Sequence, residues 1–194
     1  MVIDFQMTNY FESSSEVILS INKNLKEINL ICEELKNCFY EGGKLLVAGN
    51  GGSASDAQHF VGELTCTYKN PNRKSLPAIS LANNPSAFTA WANDFDHLDF
   101  FSRQVEGLGK KNDILFLIST GGGDLNNKLS VNLIRAAQKA LSMNLKVISL
   151  VGKSGGELEK ISNLSYKVIS STTSHIQEAH ISIIHYLCES LENI

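Results

Sequence analysis

Residues 44–63 read KLLVAGNGGSASDAQHFVGE, an apolar run that meets a glycine turn and then a polar-started helix. Leu45, Leu46, Val47 and Ala48 follow Gly42-Gly43 as a buried parallel strand does, and Gly49-Asn50-Gly51-Gly52 allows a sharp turn at positive φ. Ser53 is then placed to cap a helix. The first-turn amides of such a helix face outward with partial positive charge, so the corner suits a phosphate or a polyhydroxyl ligand. It matches neither GxGxxG nor the Walker pattern, which makes a dinucleotide or a nucleoside triphosphate a poor first expectation.

Further along the same unit, His59 and Glu63 lie four apart, which places imidazole and carboxylate on one helix face. Taken alone, His-x-x-x-Glu is more often a solvated surface pair. Here the helix starts at a glycine corner at the carboxyl end of a strand, where open α/β sheets hold their ligands.

The rest of the chain narrows the function classes. Its 194 residues suit one domain, 1–194, with a sizeable core. The formal charge is -3 and the pI near 5.9, with no basic block or aromatic-plus-Arg stripe, which argues against nucleic acid as a partner. No apolar run approaches a membrane span, and MVIDFQMTNY lacks the charged and apolar regions of a leader, so a cytoplasmic protein with no membrane partner is expected. Cys32, Cys38, Cys66 and Cys188 show no CxxC spacing and read as reduced thiols, buried by default.

In chain order, Val17, Ile18, Ile21, Leu25, Ile28, Cys32, Leu35 and Phe39 recur at threes and fours, predicting a long amphipathic helix over Phe11 to Glu41. Its length and position suggest that residues 1–41 contribute to a subunit interface; covering the chain's own core is the alternative. Strands are expected at 78–81, 113–118, 146–151 and 166–170. Helices are expected at 86–92, 100–108, 127–142, 156–161 and 174–193. Ser119-Thr120-Gly121-Gly122-Gly123-Asp124 repeats the first corner at a neighbouring strand end, with hydroxyls and free amides as phosphate donors and Asp124 as the odd, repulsive member. Asp94 ends a helix, where it is an Asx cap or an acceptor for sugar hydroxyls. On the last helix Gln177 and His185 differ by about 80° around the axis and can flank one cleft, while His180 turns elsewhere. The alternation gives an α/β three-layer sandwich with a five-stranded parallel sheet and right-handed crossovers.

Together AGNGGSASDAQHFVGEL, TAWAND, FSRQVEGLG, LIST and HIQEAHISIIHYLCE resemble the phosphoheptose isomerases of the sugar isomerase (SIS) fold, in order and spacing over nearly the whole chain. The resemblance implies a flavodoxin-like SIS domain and a homotetramer with sites between subunits. The implied activity interconverts sedoheptulose 7-phosphate and D-glycero-D-manno-heptose 7-phosphate for bacterial lipopolysaccharide or capsule. It also implies Glu63 as base, His185 as acid, and a zinc ion held by His59, Glu63, Gln177 and His185. Asn50, Gly51, Gly52, Ser53, Asn93, Asp94, Ser119 and Thr120 match the family's substrate contacts; Gly121, Asp124, Glu63 and Gln177 join them.

Those residue types fit a ketose–aldose exchange, in which a carbon-bound proton beside a carbonyl moves to the neighbouring carbon through an enediolate. The departures concern phosphate binding. Family members usually read STSGNS where this chain has Gly121 and Asp124, an arginine where Thr67 stands, and Asp-Arg where Ser174-His175 precede Ile176. Lys69, Lys128 and His175 are the candidate compensating charges. The alternatives are an isomerase or epimerase for another phosphosugar or nucleotide-linked sugar, and a non-catalytic SIS-fold regulatory or binding protein.

Overall fold

A computed structural model describes residues 9–194, so the leader reading of the first residues falls mostly outside it. The helical lead-in is α1 (Tyr10–Ser20) and α2 (Leu25–Tyr40), joined by a 3-10 turn at Ile21–Asn24. The long amphipathic segment is thus present, with its axis interrupted by that tighter turn. Then come β1 (Leu45–Gly49), α3 (Gly52–Thr65), β2 (Ala78–Ser80), α4 (Pro85–Asp94), α5 (Phe100–Leu108), β3 (Ile114–Ser119) and α6 (Val131–Ser142). The chain closes with β4 (Lys146–Val151), α7 (Gly156–Ile161), β5 (Leu164–Lys167) and α8 (Thr173–Ser190).

All four strand pairings are parallel, in the order β2-β1-β3-β4-β5. That order reverses direction between β1 and β3, and ligands of such sheets bind at the carboxyl ends of the two strands flanking the reversal. Both glycine corners sit there. Alternate strand residues face opposite layers: Leu45, Val47, Ile114, Phe116 and Ile118 pack with Phe60, Leu64, Ile184 and Leu187 of α3 and α8 and with α2. Leu46, Ala48, Leu115 and Leu117 pack on the other side with Phe101, Val105, Leu133 and Leu158 of α5, α6 and α7. The expected three-layer sandwich is this arrangement.

Two boundaries and one cysteine's burial differ from the sequence reading. Helix α6 starts at Val131, not near Asn127, because Asp124 and Leu129 pair as an antiparallel bridge and Lys128 and Ser130 take positive φ. Strand β5 begins at Leu164, its polar Ser165 hidden by a hydroxyl contact of 3.2 Å with Ser149. Cys66 is exposed at the end of α3, whereas the other three cysteines are buried.

Candidate functional site

The first corner turns tightly. Gly51 adopts φ 56°, and the carbonyls of Asn50 and Gly51 receive the amides of Ser53 and Ala54 at 3.0 Å. Ser53 therefore lies inside the first turn, buried, with no capping bond from its side chain; Gly51 is the N-cap instead. A Cβ on Gly52 would fall 1.9 Å from the Gln177 amide nitrogen, so glycine is what admits the Gln177 side chain over the helix start. Beside it stands Asp56, whose Oδ2 is buried without a partner. Burial pushes the Asp56 carboxyl up, against the opposing pull of Gln177 and His59.

Helices α3 and α8 run side by side, and their middles bring the reactive side chains together. Glu63 Oε1 is 3.0 Å from His59 Nε2, one turn away as the spacing predicts. His59 Nε2 is in turn 3.4 Å from His185 Nε2, with the two rings edge to face at 5.1 Å. Tyr68, from the loop after α3, lies nearly parallel to the His185 ring at 6.0 Å. The His59 side chain is 43% exposed and that of Glu63 24%, open enough to meet a ligand and covered enough to be held in place. His180 turns away as expected: it is wholly buried, with Nε2 3.1 Å from the Val151 carbonyl at the end of β4. Burial lowers its pKa to about 4.

The second corner uses its own loop as scaffold. Ser119 Oγ accepts the Gly122 amide at 3.1 Å, and the carbonyls of Gly122 and Gly123 accept the α7 amides of Leu158 and Glu157 at 2.8 and 3.1 Å. A Cβ on Gly122, at φ 69°, would meet the Gly155 carbonyl at 1.8 Å, so this brace requires glycine. Thr120 and Gly121 follow half-buried. The Asp124 carboxylate faces its own excursion, accepting from the Asn126 and Asn127 amides at 2.8 and 3.0 Å and from Asn127 Nδ2 at 2.7 Å. The Asn127 amide, first among these donors, holds that carboxyl below the usual range.

The structure brings His59, Glu63 and His185 together and sets Gln177 over Gly52. Asn93 and Asp94, by contrast, are exposed on the last turn of α4, with Asn93 Nδ2 bonded to Asp94 Oδ1 at 2.8 Å. Among the described residues there is no ready cluster of three or more His, Cys, Asp or Glu donors about one point. Two of the compensating charges are otherwise engaged. Lys69 pairs with Glu189 at 2.8 Å, and His175 is buried against the Tyr10 ring at 4.8 Å. Lys128 is exposed on the excursion.

Sequence reading missed Asn132, which exchanges two amide bonds with Asn50 at 2.9 and 2.8 Å and so ties the second corner's helix to the first corner. Asp56 and Tyr68 were missed as well. An aspartate one turn before His59 was the available signal for Asp56; nothing local marks Asn132 or Tyr68, whose partners are distant in sequence.

Comparison with known proteins converges on one family. The SIS domain model matches residues 9–152. A phosphoheptose isomerase of Helicobacter pylori (strain P12) is 44% identical over 182 residues, 93% of this chain and 89% of that protein. That of Campylobacter jejuni subsp. jejuni serotype O:6 is 45% identical over 163 residues, 84% and 82% of the two chains. Among solved structures, a phosphoheptose isomerase from Francisella tularensis superposes with a TM-score of 0.88 at 35% identity, covering 96% of each chain. Phosphoheptose isomerase GmhA from Neisseria gonorrhoeae gives 0.87 at 34% identity, covering 96% of this chain and 97% of that one.

Proposed function

The chain belongs to the phosphoheptose isomerase family of SIS-domain phosphosugar isomerases, and we propose that it interconverts sedoheptulose 7-phosphate and D-glycero-D-manno-heptose 7-phosphate. The observation that carries this reading is the convergence of Glu63, His59 and His185 from two helices beside the glycine corner. Glu63 takes the proton from the carbon next to the sugar carbonyl and returns it to the neighbouring carbon. His185 donates a proton to the carbonyl oxygen as negative charge develops there, giving a neutral enediol in place of a free oxyanion. His59 Nε2 lies against both, so the carboxylate and the acid converge on one imidazole nitrogen. Asn50–Ser53 at the start of α3 and the hydroxyls of Ser119 and Thr120 at the carboxyl end of β3 hold the sugar and its phosphate. Gly121, Asn93 and Asp94 complete the proposed contacts, whereas the expected contact from Asp124 drops out because its carboxylate is held by its own loop.

Zinc is part of the proposal. Two imidazoles, a carboxylate and the Gln177 amide form a donor set of types that zinc accepts, although the amide is uncommon. The separations of His59 from Glu63 and from His185, 3.0 and 3.4 Å, suit neighbouring ligands on one ion, since tetrahedral bonds of about 2.0–2.1 Å place ligand atoms roughly 3.3 Å apart. Bound there, the ion supplies Lewis acidity toward the carbonyl oxygen. We also infer a homotetramer, supported by the apolar side chains of Phe11, Leu19, Leu30 and Tyr186 exposed on α1, α2 and α8. No helix of the described residues is long and apolar enough to cross a membrane, and we infer a cytoplasmic enzyme serving lipopolysaccharide or capsule heptose.

A second reading, a different phosphosugar or nucleotide-linked sugar, is favoured by the excursion at 124–129, which alters the phosphate corner. The deciding experiment incubates purified protein with sedoheptulose 7-phosphate in deuterated water and follows exchange and aldose formation by NMR, with added zinc and after chelation. Exchange with aldose formation supports the first reading. Absence of exchange with this sugar, but exchange with another phosphosugar, supports the second. A protein inactive on every sugar in all conditions sinks both in favour of a binding role.

A further inference from the structure

Arg73 stands in the polar link after α3, where a solvated side chain is the ordinary expectation, yet it is only 8% exposed. Its Nη2 donates to the carbonyl of Glu63 at 2.6 Å, and its Nη1 to the carbonyls of Leu64 and Lys74 at 3.0 and 2.8 Å. Its Nε donates to Glu192 Oε1 at 3.1 Å. Glu192, beyond the end of α8 and also 8% exposed, uses its other oxygen to accept the amides of Lys69 and Asn70. One buried ion pair thus joins the last turn of α3, the loop 66–75 and the chain just past α8.

The position of this pair gives it a consequence for the site. Helices α3 and α8 lie parallel: Gly52 meets Gln177 at their starts, His59 meets His185 in their middles, and Glu63 and Leu64 reach Glu192 through Arg73 at their ends. Parallel neighbours bring two partially negative carboxyl ends together, and a guanidinium on the α3 carbonyls offsets that charge. The residue that carries the base is itself one of the three carbonyls held. The loop fastened by Glu192 carries Tyr68, which lies over the His185 ring. Buried Cys188 marks how close these groups are. Burial, then the negative charge of Glu63, pushes its thiol up to about 12, and Arg73 and Glu192 act on the same thiol with opposite signs.

We propose that Arg73 and Glu192 form an internal clamp that fixes α3 against α8 and so sets the spacing of Glu63, His59, His185 and Tyr68, which makes Arg73 a positioning residue for proton transfer. The catalytic half of this inference rests on the isomerase reading; the geometric half does not. A buried ion pair is a poor source of net stability, because desolvation offsets the attraction, so its presence here is better accounted for by the geometry it imposes.

The test uses Arg73→Lys, which keeps the charge but loses the planar fork, and Glu192→Gln, which keeps the volume but removes the charge and sets a donor against either Arg73 Nε or the Lys69 and Asn70 amides. Both are studied as the full chain, well below their unfolding temperatures, with the fold verified by circular dichroism. The expected result is a fall in kcat of about tenfold or more with KM within about threefold, as displacement of reacting groups produces. A second readout needs no substrate: with histidine-selective labelling, the nuclear Overhauser contact between the His59 and His185 rings weakens in both variants. Folded variants that keep this contact and lose only thermal stability overturn the clamp. If the wild-type protein does not turn over the sugar, the isomerase reading fails and the ring contact alone decides the clamp. Should Arg73→Lys not fold, Glu192→Gln, the more conservative change, carries both readouts.

Discussion

At β1 the chain passes from Gly49 into α3 at Gly52, whereas at β3 it leaves the strand at Ser119 and does not enter a helix until Val131. The two corners flank the same reversal of the sheet and are written in similar residues. The tight corner fixes its helix relative to the strand, and that helix carries the side chains able to move a proton, His59 and Glu63. The open corner uses its carbonyls to brace α7 and its carboxylate to hold its own excursion, which leaves half-buried Thr120 and, through Asn132, a tie to the first corner. A short turn gives a reactive side chain a defined address; a long one gives a shaped wall. On this view, chemistry belongs to the first corner and ligand recognition is shared with the second.

The largest effect should come from breaking the first corner's chemistry while leaving its shape. Glu63→Gln removes the proposed base and keeps the side-chain volume, so turnover should fall by about 10²–10⁴-fold with little change in KM or unfolding temperature. Proton exchange into deuterated water measures it directly. Turnover within a few-fold of wild type would take Glu63 out of the mechanism and would remove the division of labour between the corners.

The contrast also explains what could be read from the chain alone. The first corner was legible because everything that defines it is local: the apolar run, the glycines, and a histidine and glutamate four apart on one helix. Helical geometry set Gln177 and His185 toward one cleft, and only the family resemblance joined them to the first corner. The second corner was read too short, since the Asp124–Leu129 bridge depends on a turn whose residues, Leu-Asn-Asn-Lys, are not exclusive to turns. Arg73, Asn132 and Tyr68 were invisible for a different reason. Arg73 acts on Glu192, Asn132 on Asn50 and Tyr68 on His185, each through contacts that exist only after the sheet has formed.

Acid should separate the two halves next. His180 fastens α8, the helix opposite the first corner, to the end of β4, and burial holds it neutral with a pKa lowered to about 4 from an ordinary 6.5. Between these values the unfolded chain binds a proton that the folded chain refuses, so stability is full above pH 6.5 and is lost as pH falls toward 4. The full loss is about 3 kcal/mol, taken from the shift at 1.36 kcal/mol per pH unit. The amides of α8 should therefore lose hydrogen-exchange protection at pH 5 relative to pH 7 more than those of α6, which presents no such buried histidine. Equal losses in the two helices would mean that acid acts on the molecule as a whole.

Asn132→Ala tests whether the corners cooperate. It removes both amide bonds to Asn50, each worth about 1 kcal/mol net, so kcat/KM should fall by up to roughly 30-fold while the fold survives. A matching loss in the affinity for the phosphorylated sugar would place the cost in binding. An unchanged kcat/KM would show that the first corner holds its shape without help from the second.

The smallest expected effect is the most diagnostic for the second corner. Serine at position 124 restores the family's usual hydroxyl, and on charge alone Asp124→Ser should tighten the binding of a phosphorylated ligand by removing a repulsive carboxylate. The geometry argues otherwise. Two backbone amides and the Asn127 side chain already surround that carboxylate, hold it below the ordinary carboxylate range and turn it toward its own loop. Serine can replace at most part of that set, so the excursion should loosen slightly while KM stays within about twofold and kcat is unchanged. Titration with sedoheptulose 7-phosphate, alongside inorganic phosphate as a probe of the anion alone, distinguishes the two accounts. A marked tightening for both ligands would mean that Asp124 faces the anion and that the second corner selects its ligand by charge. Unchanged affinity for both would leave it as the shaped wall, with selectivity arising from where the excursion lets the sugar lie.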